Sequence, residues 1–403
     1  MKFLITGAGF SNTGAQAMID TVVSEIRQRF PQDDIYIANS AKFPKQLDNK
    51  VEFTYYDTGV SEFYAIATFY EKLKFVTRNI IKKLLGRQTD SLHVFEEVVK
   101  NCDVVLDISG YALSNKWSYF NNMKFLSRIE LAKKYQKPIF LLPQSFGPFD
   151  YAGKHASIID RIKNDLSYPI CIYAREKQGH DLLTKEYGLL NVKRSSDIVL
   201  QSTGSVKEGG NNVTKNNSDI APESVAIVPN VHCYSYNPQK LINCYKMIIS
   251  SLLKEGKNIY IVRHSDADLP VCKEVKEHFK NEEEVVLCDE LLNNKEFSLF
   301  IKQFKFLIAS RYHSIVHAYK MGIPCLVIGW ADKYAELLES FNQLDYFVHI
   351  ENINEINIVE KLRNLDNSIN QSKSLIKEHL QEISKESVFN DIEQYVKMNL
   401  NNA

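Results

Sequence analysis

Residues 306–330 read F-L-I-A-S-R-Y-H-S-I-V-H-A-Y-K-M-G-I-P-C-L-V-I-G-W. Phe306 to Ala309 is an apolar run with the length of a buried strand. Ser310, Arg311, Tyr312 and His313 follow where a helix should begin, and Ser314 interrupts any continuation of the strand. Ile315 to Met321 fit a helical pattern. Gly322 stops that helix, Pro324 prevents its resumption, and Cys325 to Ile328 form a second apolar strand. The reading is strand, polar turn, helix, strand. It sets a guanidinium and an imidazole at a strand's carboxyl end beside a helix N-terminus. Open parallel sheets bind ligands there, and helix N-termini favour anions.

Outward from this stretch the pattern repeats. Ser224 to Pro229, Asn258 to Arg263 and Val285 to Leu287 read as strands, and Asn237 to Glu255, Leu269 to Asn281 and Phe297 to Gln303 as helices. The second of these strands ends in Arg263-His264-Ser265-Asp266-Ala267-Asp268. His264 and Asp268 are read as a cap for the helix at Leu269 in preference to catalytic groups. Downstream come Gly329-Trp330-Ala331-Asp332-Lys333-Tyr334, a helix to Phe341, a strand from Phe347 to Ile350, and a polar helical tail from Glu355.

The N-terminal half alternates in the same way. Lys2 to Thr6 is a strand, residues 7–16 a small polar turn, and Ala17 to Phe30 an amphipathic helix. The spacing G-x-G-x-x-x-x-G misses the dinucleotide fingerprint, and no Gly-Lys-Ser/Thr follows. Tight turn and ligand loop both remain open for it. Further strands are expected at Ile35 to Asn39, Val51 to Tyr55, Asp103 to Ile108, Pro138 to Leu142 and Tyr168 to Ala174, with helices at Leu92 to Asn101 and Asn121 to Tyr135. Asp107 lies inside an apolar run, so it needs a partner or a job; the alternative is a cap for the next turn. Residues 202–223 are crowded with Gly and Asn and predict a flexible linker or loop.

The β-α alternation predicts parallel, doubly wound sheets. The fold class expected is α/β, two Rossmann-like domains facing across a cleft. Domain 1–201 would be the acceptor side and domain 224–403 the donor side, joined by 202–223. This plan resembles that of the GT-B glycosyltransferases, and fold alone does not fix function.

Composition sets the bounds. At 403 residues, two domains is the natural prior. The chain is 44% hydrophobic and 24% charged with formal net charge zero, so no global electrostatic case exists for nucleic acid. Its seven cysteines are scattered without C-x-x-C spacing, which argues for a reduced intracellular protein and against a zinc site. No secretory signal or membrane span is read, and a cytoplasmic location is expected.

Residues 63–87 stand apart. Phe63, Tyr64, Ile66, Phe69, Tyr70, Leu73, Val76, Ile80, Ile81, Leu84 and Leu85 recur at helical spacing, with Lys72, Lys74, Arg78, Lys82, Lys83 and Arg87 among them. The expectation is a helix or helix pair packed on its own domain with a solvated basic face. The alternative is peripheral contact with an anionic membrane surface, at the inner face of the membrane.

Several corners at strand ends form an ordered set: Gly9 to Ala15, the Asp107 corner, Gln144-Ser145-Phe146-Gly147-Pro148, Ala174-Arg175-Glu176, Ser196-Asp197, and S-R-Y-H-S-I-V-H-A at 310–318 followed by G-I-P. The set resembles the polysaccharide pyruvyl transferase family across essentially the whole chain. The resemblance implies transfer of a pyruvyl group from phosphoenolpyruvate to a sugar of a surface glycan or its precursor, with phosphate release. It implies a sugar or lipid-linked glycan acceptor and no cofactor or metal. Arg311, Tyr312 through its backbone, and His313 would hold the donor with Ser310 and Ser314, Arg175 would be a second basic contact, and Asp107 a carboxylate near the acceptor. Asn12, Gln16, Tyr111, Gln144 and His264 are candidate acceptor or cleft residues.

The residue types suit that chemistry. Arginines clamp carboxylate and phosphate with planar, permanently charged forks. Imidazole titrates in the range a general acid needs to protonate the methylene carbon. Asp107 could take the hydroxyl proton. The sequence departs from the family at Ser109-Gly110-Tyr111, where a run of glycines is common, so Tyr111 bears on the acceptor. The Gln144 corner begins Pro-Gln where Gly-Gln is usual. His317 lies four residues after His313, and without an adjacent Glu it reads as packing or as a partner that supports another site residue, in preference to metal binding. Two other functions fit the layout: a nucleotide-sugar glycosyltransferase of the GT-B kind, and a non-catalytic glycan- or membrane-binding module.

Overall fold

The computed structural model describes residues 1–7, 9–10, 13–39, 52–153, 156–202, 220–353 and 355–400. The chain divides into two compact units. The first holds Met1–Ser11, Met18–Ile198 and Val388–Ala403, and the second Asn12–Ala17 and Val199–Ser387. The units part between Ile198 and Val199, where the sequence reading set its boundary near 201. The turn at 12–17 groups with the second domain, and the end of the tail groups with the first. Most of the stretch read as a linker, 203–219, lies outside the described residues.

The first domain carries a seven-stranded sheet of β1 (Lys2–Thr6), β2 (Asp34–Asn39), β3 (Thr54–Asp57), β4 (Val104–Asp107), β5 (Ile139–Gln144), β6 (Cys171–Ala174) and β7 (Val192–Arg194). The second carries six: β8 (Val225–Val228), β9 (Ile259–Val262), β10 (Val285–Cys288), β11 (Phe306–Ala309), β12 (Cys325–Gly329) and β13 (Phe347–His349). Every pairing is parallel. Strand order is β3-β2-β1-β4-β5-β6-β7 in one sheet and β10-β9-β8-β11-β12-β13 in the other. Both are doubly wound, Rossmann-like sheets, as the alternation predicts. Their central strands read as unbroken apolar runs because helices cover both faces. β4, β5, β6, β8, β11 and β12 are buried at every position.

In such sheets the chain order reverses between two neighbouring central strands, and ligands bind outside their carboxyl ends. The reversal falls between β1 and β4 in the first domain, where Thr6 is registered with Asp107. In the second it falls between β8 and β11, where Val228 is registered with Ala309. Asp107 and the Ser310-Arg311 corner thus occupy equivalent places in their own domains.

Local departures from the sequence reading have local causes. The helix after β11 runs Tyr312–Lys320, three residues earlier than its apolar pattern, because Ser314 is held in its first turn by a hydrogen bond from its hydroxyl to the Arg311 carbonyl. Residues 63–87 are two helices, Ser61–Ile66 and Phe69–Leu84, separated where Thr68 starts the second with a capping box to Glu71. Ile198–Gln201 is a short helix after the edge strand β7.

Candidate active site

The second domain's corner is built around a carbonyl. Asn230 follows β8 and its Nδ2 donates to the Ser310 carbonyl at 2.7 Å, while Tyr334 Oη donates to the same oxygen at 3.2 Å. Ser310 is fully buried with its hydroxyl 2.7 Å from Tyr245 Oη. The two strands at the reversal are thereby tied just where the chain turns into the helix Tyr312–Lys320.

Arg311 caps that helix by position, with extended backbone angles and no side-chain cap bond. Its side chain turns to Asp268 instead. Nε lies 3.1 and 2.9 Å from the two carboxylate oxygens, Nη2 lies 2.6 Å from Oδ1, and Nη2 also donates to Ser265 Oγ at 2.9 Å. Asp268 has no exposure, and it further accepts from Val231 N at 3.0 Å and Ser265 Oγ at 2.9 Å. It makes no side-chain cap for the helix Leu269–Glu277, so the cap reading of Asp268 is corrected. A buried carboxylate without a cation is costly, and Arg311 supplies that cation from 43 residues away.

His313 occupies the first turn of the same helix, half-buried. Its ring lies against Gly14, where an added Cβ would overlap ring atoms Cγ and Nδ1 and come within 2.7 Å of the His313 Cβ. Glycine at 14 therefore makes room for the imidazole. Thr13 Oγ1 donates to the His264 carbonyl at 3.1 Å, and Gln16 Oε1 accepts from Asn294 N at 3.3 Å. The Gly-rich turn thus serves this corner, an assignment its spacing did not reveal. Ser314 donates its hydroxyl to the Arg311 carbonyl at 2.7 Å and secures the first turn. Tyr312 is buried, with its ring edge-on to His313 at 5.5 Å and Lys333 Nζ 5.2 Å above it.

His264 is enclosed beside Phe297, edge-on at 4.9 Å, and 6.1 Å from the His317 ring. Burial first, then the charges of His317, Arg311 and His313, pull its pKa well below the usual imidazole range. It is neutral near pH 7. His317 Nδ1 lies 2.9 Å from Ser298 Oγ, and its ring lies edge-on to Phe297 at 5.4 Å.

In the first domain Asp107 is fully buried. Oδ2 accepts from Thr6 Oγ1 at 2.9 Å and Arg128 Nη1 at 3.0 Å, and Oδ1 accepts from Ser109 N at 3.1 Å. Arg128 also reaches Glu62 Oε2 at 2.9 Å. Burial lowers the Arg128 pKa, yet Glu62 and Asp107 raise it further, so the guanidinium stays charged. Asp107 is both the paired carboxylate and the cap for its turn.

Arg175 is likewise committed within its domain. Nη1 donates to Asp197 Oδ2 at 2.6 Å, and Nη2 to the Gly110 carbonyl and Ser145 Oγ at 2.8 Å each. Gly110 sits at φ +70° with its carbonyl turned to that guanidinium. Tyr111 Oη donates to the Gly147 carbonyl at 2.8 Å. Gln144 is fully buried, and neither polar atom of its amide has a hydrogen-bond partner among the described residues. Asn12 lies outside the described residues.

The structure therefore brings Gln16, His264, Ser310, Arg311, Tyr312, His313 and Ser314 into one domain's corner, and Asp107, Tyr111, Gln144 and Arg175 into the other's. Sequence reading missed Asn230, Asp268 as the partner of Arg311, and the aromatic group beyond β12. There Trp330 stacks on Tyr236 at 5.8 Å, with Lys333 Nζ 5.6 Å from the Trp330 ring. Trp330 ends a strand as the other corners do, which was the available signal.

Two Rossmann-like domains, each with an arginine–carboxylate pair at the end of its sheet, put the chain in the GT-B-like class of α/β proteins. A family model described as Polysaccharide pyruvyl transferase matches residues 12–333, and the chain belongs to that family. A search of curated proteins finds no match. Solved structures similar in fold include UDP-GlcNAc 2-epimerase from Methanocaldococcus jannaschii, at 14% identity over 90% of this chain and 92% of that one, TM-score 0.57. The S. aureus MnaA-UDP co-structure matches at 12% identity over 100% and 97%, TM-score 0.59. UGT71G1 of Medicago truncatula, complexed with UDP-glucose, matches at 11% over 98% and 98%, TM-score 0.55.

Proposed function

We propose that the chain transfers a pyruvyl group from phosphoenolpyruvate to a sugar of a surface polysaccharide or its precursor, in the cytoplasm. The observation that carries this reading is the Asp268-Arg311 pair fixed at the N-terminus of Tyr312–Lys320 with His313 in the helix's first turn, in a chain of this family. In ketal formation two sugar hydroxyls replace the phosphate. One oxygen bonds to the central carbon as the methylene gains a proton. The second bonds there as the C–O bond to phosphate breaks, and its proton leaves with the phosphate. His313 delivers the methylene proton. Arg311, with the helix N-terminus, meets the negative charge of the donor through the edge not turned to Asp268. Asp107, enclosed and ion-paired, anchors the Ser109 to Tyr111 corner and leaves the hydroxyl proton to other groups.

Phosphate release that requires both phosphoenolpyruvate and glycan is the expected activity. His313→Asn is expected to lower it about 10²- to 10⁴-fold. Arg311→Lys keeps charge but loses the fork, and is expected to cost about 10²-fold or more. Full turnover by His313→Asn sinks the proton role. A second reading, nucleotide-sugar transfer, draws on fold relatives solved with UDP and UDP-glucose. Thermal stabilisation by a nucleotide sugar, with none by phosphoenolpyruvate, selects it.

A further inference from the structure

The helix Phe69–Leu84 meets its own domain with the wrong face for an ordinary surface helix. Its half-buried positions are Glu71, Lys72, Phe75, Asn79 and Lys82, spaced three and four residues apart along one side. That side holds the helix down. The Phe75 ring lies 6.0 Å from those of Phe63 and Tyr64. Asn79 exchanges hydrogen bonds with the Asp90 backbone at 2.8 and 2.9 Å, and Lys82 Nζ lies 2.8 Å from both Asp90 carboxylate oxygens. The opposite side is apolar and faces outward: Phe69 is 85% exposed, Leu73 52%, Ile80 55% and Leu84 81%, with Tyr70, Val76 and Ile81 beside them. No residue of the helix is buried. The expected packing of this stripe on its own core is thereby corrected.

Amphipathic surface helices turn their apolar stripe to the core, and a contiguous exposed stripe marks an interaction surface. The charges identify what meets it. Lys72, Lys74, Arg78 and Lys83 border the stripe, and Arg87 follows it. The local acids are already engaged, Glu71 in the cap of Thr68 and Asp90 with Lys82 and Arg78. Lys74, Lys83 and Arg87 pair with no carboxylate among the described residues. A second copy of this chain docked by the same helix would bring cation against cation. A bilayer rich in anionic lipid satisfies both features, with acyl chains against the stripe and phosphates against the lysines.

We propose that Phe69–Leu84 is an interfacial helix that seats the first domain on an anionic membrane surface. The inference stands apart from the transfer reading, and its test uses no activity. The full chain is sedimented with vesicles of phosphatidylcholine alone or mixed with phosphatidylglycerol. Binding is expected on the mixed vesicles, at least about tenfold above the neutral ones, and is expected to fall as salt rises. Leu73→Asp with Ile80→Asp is expected to abolish it, and Lys74→Glu with Lys83→Glu to weaken it about tenfold or more. All four positions are exposed, so unchanged melting temperatures should show both variants folded. No binding, equal binding to both vesicle types, or undiminished binding by the aspartate variant overturns the proposal. So does a lipid-free dimer that the aspartate variant dissociates in light scattering, which would assign the stripe to a second copy.

Discussion

Gln144 ends β5 with its amide enclosed and neither polar atom partnered among the described residues. An unsatisfied buried amide costs about 1–3 kcal/mol, and removing it can be neutral or stabilising. Gln144→Met conserves volume. In urea denaturation it is expected to leave stability unchanged or raise it by up to about 3 kcal/mol, while phosphate release falls. A loss of stability in step with activity would show a structural amide instead. His264 makes a second prediction. Its folded pKa is depressed, so between that value and the ordinary imidazole pKa the unfolded chain binds a proton that the fold refuses. Its neutral form therefore supports the fold fully above the unfolded pKa, and that support is lost as pH falls below about 6.5, by at most about 1.4 kcal/mol per pH unit. Melting temperatures from pH 8 downward are expected to be flat and then fall, with a shallower acid limb in His264→Gln. At this scale the sequence showed which residues were unusual and left their partners open. Asp107 in an apolar run demanded a partner, but Arg128 and Glu62 could be named only after folding. Asp268 looked like a cap because its local context is that of a cap, and the cation 43 residues on outcompetes it.

Elements were legible where burial is complete. β11 was expected at Phe306–Ala309 and lies there, because a central parallel strand has no solvated face to break its apolar run. β7 escaped notice because an edge strand with two of three residues exposed carries no such run. Phe69–Leu84 was legible as an amphipathic helix, but its orientation was not, since periodicity defines a stripe without saying what covers it. Its end is a separate matter. Thr68 Oγ1 accepts from Glu71 N at 3.3 Å, and Glu71 Oε2 accepts from Thr68 N at 2.8 Å. Thr68→Ala should cost the helix about 1 kcal/mol. With no residue buried, the helix can open without the core following. Hydrogen exchange across 69–85 is expected to quicken about fivefold with no change in melting temperature. A matching global loss would mean that the helix folds as one unit with its domain.

The division into domains was legible from the restart of β-α alternation after residue 223, and it follows from surface scaling that a chain this long splits its core. The destination of the tail was not. The helix Val388–Asn399 has a periodic apolar face, and such a face announces burial without naming the sheet it meets. It belongs to the first domain, although the chain reaches it from the second. Asp391 accepts from Tyr173 Oη and Lys193 Nζ at 2.7 Å each, Tyr395 lies edge-on to Phe140 at 5.4 Å, and Arg29 reaches Glu393 at 3.3 Å. Val388, Phe389, Ile392 and Val396 are buried there. At about 1.5–3 kcal/mol for each enclosed side chain, their burial contributes roughly 6–12 kcal/mol. The whole stability of a domain is about 5–15 kcal/mol, so the helix is a structural part of the first domain. A chain ending at Ser387 is therefore expected to lose exchange protection throughout β1 to β7 while keeping it in β8 to β13. Loss confined to the second sheet would place the helix there after all. Retention in both would mean that the exposed face of the first domain closes over itself at little cost, against the burial of these four side chains.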